Sequence, residues 1–137
     1  MPNQVIIPKN YFFDSMSWSV FIKNDEGETL YSVNHIQYGG TQVVGGTNEC
    51  DLNITYNYSK LFREVFPLDN DGNTTGLVWL EYKTGKESEQ ILAKAVERLG
   101  VRRDDDYWEA TMGNAGFSLQ ILLSWAREFP NGRFSIC

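Results

Sequence analysis

Two cysteines, Cys50 and Cys137, and a single histidine, His35, are all the Cys and His in 137 residues. A disulfide-built scaffold is denser in cysteine, and a structural zinc site needs four such ligands at short spacings, so neither is expected. Basic residues are outnumbered, 12 Lys plus Arg against 18 Asp plus Glu, and the formal net charge of −6 argues against direct binding to a nucleic-acid backbone. No run of about 18 apolar residues exists, so no membrane span is expected. Met1 to Asn10 lacks the basic-then-apolar pattern of a secretory signal. The glycosylation-like triplets at Asn53, Asn57 and Asn73 then carry no chemistry, and a cytoplasmic location with both thiols free is expected. Gly39-Gly40 and Gly45-Gly46 lack the Lys-Ser/Thr ending of a phosphate-cradling loop. Asp69-Asn70-Asp71-Gly72-Asn73 starts like a calcium loop, but its glycine is fourth rather than sixth and Leu80 stands where the twelfth-position Glu belongs. It reads as a turn, and neither a cofactor nor a metal is expected.

What is present is enough for a folded core. Hydrophobic residues make up 42% of the chain and aromatics 14%, too many for intrinsic disorder. A chain this long buries about 68–70% of its unfolded surface, and residues 1–137 read as a single domain. Trp18, Val20 and Ile22 alternate within Ser17 to Lys23, the pattern of a half-buried strand. Asn24 to Gly27 is a turn, and Thr29 to Gln37 resumes as a strand, which predicts a β-hairpin. Val43 and Val44, between the two glycine pairs, suit a third strand or a flexible flap. Ser59 can cap a short helix carrying Leu61, Phe62, Val65 and Phe66, ended by Pro67. Gly76 to Tyr82 is apolar and reads as a strand or a lead-in to a helix. Thr84 and Glu87 have capping-box spacing ahead of Ile91, Leu92, Ala95, Val96 and Leu99, a clean helical stripe closed by Gly100. Asn114 to Phe129 predicts a second main helix, stopped by Pro130-Asn131-Gly132. Arg133 to Cys137 can add a last strand. The fold class is α+β, with N-terminal antiparallel strands and two main helices packed against them.

Two constellations could carry function. Asn53, Thr55, Tyr56 and Asn57 lead into the first helix and offer donors, acceptors and a flat aromatic face; with Asn114 they form a candidate set for a small ligand. Ordinary capping and turn bonds explain the same residues. Asp104, Asp105 and Asp106, followed by Tyr107 and Trp108, concentrate charge around aromatics. Together with Trp79 they form a candidate protein interface, because hot spots favour Trp and Tyr. The plain alternative is a solvated acidic loop anchored by its aromatics. His35 and Cys50 lack any nucleophile motif around them, so no catalytic residue is assigned.

The segments DLNITYNYS (51–59), EYKTGKES (81–88) and DDDYWEATMGNAGFSLQILLSWAREFP (104–130) resemble a group of small uncharacterised proteins common in phages and prophages. The resemblance covers about residues 50 to 131. The shared features are the NITYN segment, the YKTG step into a helix and the YWEATMGNA helix. Phe134 to Cys137 depart from the acidic tail of that group. The resemblance implies a phage-type accessory protein rather than a known enzyme. The first expectation is therefore a non-enzymatic protein that blocks a host protein, one serving defence or binding nucleic acid, inside the host cytoplasm. The second is a binder that sequesters a nucleotide-like signal through Asn53, Thr55, Tyr56, Asn57 and Asn114. Exposed strand edges in the N-terminal half also offer a route to a homodimer.

Overall fold

The first strand, whose side chains alternate, is one of the two inner strands of a four-stranded sheet. The computed structural model describes residues 16–32, 41–43 (backbone alone), 48–106 and 108–137. Strand β1 (Ser17–Lys23) lies between β3 (Asp51–Thr55) and β4 (Arg133–Ile136), and β2 (Thr41–Val43) flanks β3, giving the antiparallel order β2-β3-β1-β4. Trp18 stands opposite Ile54, Val20 opposite Leu52 and Ile136, and Ile22 opposite Phe134. These cross-strand pairs put the apolar residues on one face, where Val20, Ile22, Leu52 and Ile54 are fully buried.

The expected hairpin is only partly formed. Asn24 builds the turn, its Oδ1 accepting the Glu26 and Glu28 N–H groups at 3.0 and 2.9 Å, with Gly27 at φ +80°. Beyond the turn, among the described residues, only isolated bridges follow: Thr29 to Lys23 and Tyr31 to Glu49. On that side of β1, Asp51–Thr55 pair with Ser17 to Phe21, so the described part of the return meets β1 only at Ile22 and Lys23. Val33 to Gln37 lie outside the described residues, as do both glycine pairs and Val44, so the flap expectation is not addressed. Thr41 to Val43 do form a strand.

The helices follow their local signals with two shifts. Ser59 is not the cap of α1 (Ser59–Val65) but its first residue, its hydroxyl donating to the Tyr56 carbonyl at 2.6 Å. Capping falls to Thr55, whose Oγ1 accepts the Asn57 N–H at 3.2 Å and opens a 3-10 turn, Tyr56–Tyr58. Phe66 is extended (ψ 151°), as the residue before a proline must be. Gly76–Leu80 is a 3-10 helix rather than a strand, and it is followed by Tyr82 at φ +67°. The capping box of α2 (Gly85–Leu99) forms as its spacing requires: Thr84 N–H donates to Glu87 Oε1 at 2.8 Å and Glu87 N–H to Thr84 Oγ1 at 3.1 Å. Helix α3 (Met112–Glu128) begins two residues before the expected start because Thr111 caps it, accepting the Asn114 N–H at 3.1 Å.

Helices α2 and α3 run antiparallel in close contact. A Cβ on Gly116 would overlap the Gly100 carbonyl, and one on Gly85 would crowd the carbonyls of Ala126 and Phe129. Glycine permits this approach at both ends of the pair. Leu92, Ala95, Leu99, Leu119, Leu122 and Trp125 bury themselves there with Phe62, Leu77, Leu80 and Phe134. The outer edge of β4 is closed by the chain before α2: Phe134 N–H donates to the Lys83 carbonyl, Tyr82 N–H to the Phe134 carbonyl, and Ile136 N–H to Glu81 Oε2 at 3.0 Å. That edge therefore offers no ladder to a second copy. Among the described residues no helix is long and apolar enough to cross a membrane.

Candidate functional site

Asn57 and Asn114 of the first constellation meet Asp104, Asp106 and Trp108 of the second. The segment joining α2 to α3 is a polar loop that cannot bury an apolar face, so its shape depends on hydrogen bonds. Asn114, in the first turn of α3, supplies three of them. Its Oδ1 accepts the Asp104 N–H at 2.8 Å, and its Nδ2 donates to the carbonyls of Asp106 (3.1 Å) and Glu109 (2.9 Å). With 3% of its surface exposed, Asn114 uses both amide hydrogens and one acceptor position of Oδ1 within the protein. From the other side, Asn57 Nδ2 donates to the Trp108 carbonyl at 2.8 Å. The aspartates add consecutive Asx turns: Asp106 N–H donates to Asp104 Oδ1 at 2.9 Å, and Trp108 N–H to Asp106 Oδ1 at 3.1 Å. These are local side-chain-to-backbone bonds that short acidic side chains favour.

The result is a fixed loop that exposes Asp104, Asp105 and Asp106 beside a half-buried Trp108. Tyr107 lies outside the described residues. Arg103 sits over the Phe117 ring at 5.2 Å. Burial pushes the Tyr58 phenol up; the Arg103 charge opposes that shift and the Asp106 charge adds to it, so both charges are felt beneath the loop.

The other candidate residues are placed differently. Asn53 uses Nδ2 within the sheet, donating to Ser17 Oγ at 2.9 Å and the Trp18 carbonyl at 3.2 Å. Thr55 is buried as a cap. Tyr56 is exposed, with its ring edge-on to Trp18 at 4.7 Å. Trp79 lies at the far end of a row of rings running from Tyr56 through Trp18, Phe62 and Phe66, capped by Lys83 Nζ at 4.7 Å. The structure thus brings Asn57 and Asn114 to the acidic loop as its clamps, and sets Trp79 apart from it. Thr111 was missed in the sequence, although a Thr directly before an apolar helical run is a cap signal. The Asn57 contact has no local signal, since 51 positions separate it from Trp108.

Nucleophilic chemistry is not favoured at Cys50. The thiol is fully buried, and burial, with Glu128 and Glu49 adding to it, pushes it up to about 12; a reactive cysteine needs the opposite shift. His35 lies outside the described residues. Among the described residues no group of three or more metal-ligating side chains converges. No protein-family model, curated protein or solved structure matches the chain.

Proposed function

We propose that the chain is a non-enzymatic binding protein that blocks a host protein, one serving defence, through the acidic loop between α2 and α3. The observation that carries this reading is the double clamp: two asparagine amides hold the loop from opposite sides while three carboxylates face solvent. A loop fixed before binding loses little entropy on docking. Its carboxylates, on a chain of net charge −6, steer it toward a basic surface such as a nucleic-acid channel. Trp108, half-buried beside the carboxylates, supplies an aromatic anchor. The phage-type resemblance of residues 50 to 131 supports a host protein as the target. Sequestering of a nucleotide-like signal is the weaker reading, because the polar groups of Asn53, Thr55, Asn57 and Asn114 bond inward rather than toward a ligand.

The test replaces Asp104, Asp105 and Asp106 together by Asn. Asn keeps an acceptor for the Asp106 and Trp108 N–H groups, so the loop holds its shape and loses only charge. Native mass spectrometry of material captured from a bacterial lysate should show a protein bound to the wild type that is released by the variant or by about 0.5 M salt. Equal capture by both chains, or a small molecule alone released on denaturation, would overturn the reading.

A further inference from the structure

At the opposite end of the molecule, about 20 Å along α3 from Asn114 at 1.5 Å per residue, an open cleft of about 300 Å³ is lined by Asn24, Asp25, Leu30, Glu128 and the turn Phe129 to Gly132. Both walls are built in advance. The turn after α3 is pinned to the start of α2 by Gly85 N–H to the Gly132 carbonyl and Lys86 N–H to the Pro130 carbonyl, each 2.9 Å. The facing wall is the turn that Asn24 holds with its own side chain. Ser32 Oγ donates to Glu128 Oε1 at 2.7 Å and so orients that carboxylate.

The chemistry of the lining is one-signed. Asp25 and Glu128 are its charged residues, and no Lys or Arg is among the described lining residues. Three cations adjacent in sequence to lining residues are engaged elsewhere: Lys23 Nζ lies over the Phe21 ring at 5.2 Å, Arg127 pairs with Glu89 at 3.1 Å, and Arg133 donates to the Tyr82 carbonyl at 2.9 Å. Leu30, Phe129 and Pro130 add apolar surface suited to a methylene stem. We propose that this cleft binds an alkyl guanidinium or alkylammonium group, its head between Asp25 and Glu128 and its stem against Leu30, Phe129 and Pro130. Such a group comes either as a free amine or as an Arg or Lys side chain of a partner protein. The site stands apart from the acidic loop and does not depend on the blocking function.

The experiment is an amide-resolved NMR titration of the full chain with agmatine and, separately, with a blocked Gly-Arg-Gly peptide. Shifts are expected at residues 24–30 and 128–132, and Asp25→Asn and Glu128→Gln should each weaken binding about tenfold, the loss of one charge-assisted contact. Tighter binding of agmatine identifies a free amine as the ligand, and tighter binding of the peptide identifies a protein side chain. No shift with either probe up to about 10 mM, an equal shift with neutral hexanol, or an equal response at Asp104 to Asp106 would overturn the proposal.

Discussion

Asn114→Ala removes the most heavily used polar side chain in the loop. Three hydrogen bonds disappear: one accepted from the Asp104 N–H and two donated to the Asp106 and Glu109 carbonyls. At about 1 kcal/mol net for each bond, the loss is about 3 kcal/mol if all three partners stay dry. Asp106 and Glu109 are exposed, so their carbonyls can turn to water and recover part of it. Ala is also the better helix former, by a few tenths of a kcal/mol. The net expectation is a loss of about 2 kcal/mol, which for a chain of this length lowers Tm by roughly 6–10 °C. Calorimetry gives the total, and hydrogen exchange at the Asp104 amide gives its location. Asn57→Ala, which removes one bond at an exposed position, should cost about 0.5–1 kcal/mol. A change under about 0.5 kcal/mol for Asn114→Ala, or unchanged protection of the Asp104 amide, would refute the claim that this side chain holds the loop.

Three further outcomes test the fold beneath the site. Gly116→Ala should cost more than about 3 kcal/mol in denaturant unfolding despite a better helix propensity, because the new Cβ overlaps the Gly100 carbonyl and parts α2 from α3; a neutral result would contradict that close approach. Tyr82→Gly should stabilise by about 0.5–1 kcal/mol, since a left-handed conformation costs a non-glycine residue about 1–2 kcal/mol and glycine's extra chain entropy offsets about half of that; the side chain is 75% exposed, so little burial is lost, and a lower denaturation midpoint would count against the strain. The Asp51 carboxyl is raised above its usual range, first by burial and then by the neighbouring Glu49. The folded state therefore holds this proton more tightly than the unfolded chain, and the ionised group costs stability at neutral pH. That cost fades as pH falls through the raised value. Asp51→Asn should raise Tm at pH 7 by more than at pH 4, and an equal change at both would dismiss the shift.

The legible parts of this protein are those whose cause is local. Thr84 and Glu87 announce the start of α2 because both partners of the capping box lie within four residues. Trp18, Val20 and Ile22 announce a strand because the period is two. The hairpin expectation is met at its turn and at the Lys23 to Thr29 bridge, and Val33 to Gln37 lie outside the described residues. The alternation says that β1 pairs, but not with what, and its partners lie at Asp51 to Thr55 and Arg133 to Ile136. The run Gly76 to Leu80 carries no clear period, which left strand and helix equally open. At the site, composition singled out Asn57, Asn114 and the aspartates, but the roles of the amides were not legible. A capping or ligand-binding Asn and an Asn that clamps a distant loop look the same in sequence, because the deciding contact is to backbone atoms. Placing Trp79 with Trp108 rested on residue type alone, and Trp79 instead ends a row of rings that starts at Tyr56.

The acidic loop as a steering surface is tested most directly by association kinetics. The captured partner is immobilised, and the wild type and the Asp104, Asp105 and Asp106 to Asn variant are passed over it at salt concentrations from about 50 to 500 mM. The expected result is a wild-type on-rate that falls steeply with salt and a variant on-rate that is slower and nearly flat, with both chains equally stable. On-rates that coincide at every salt concentration would contradict acidic steering and remove the loop from the interface.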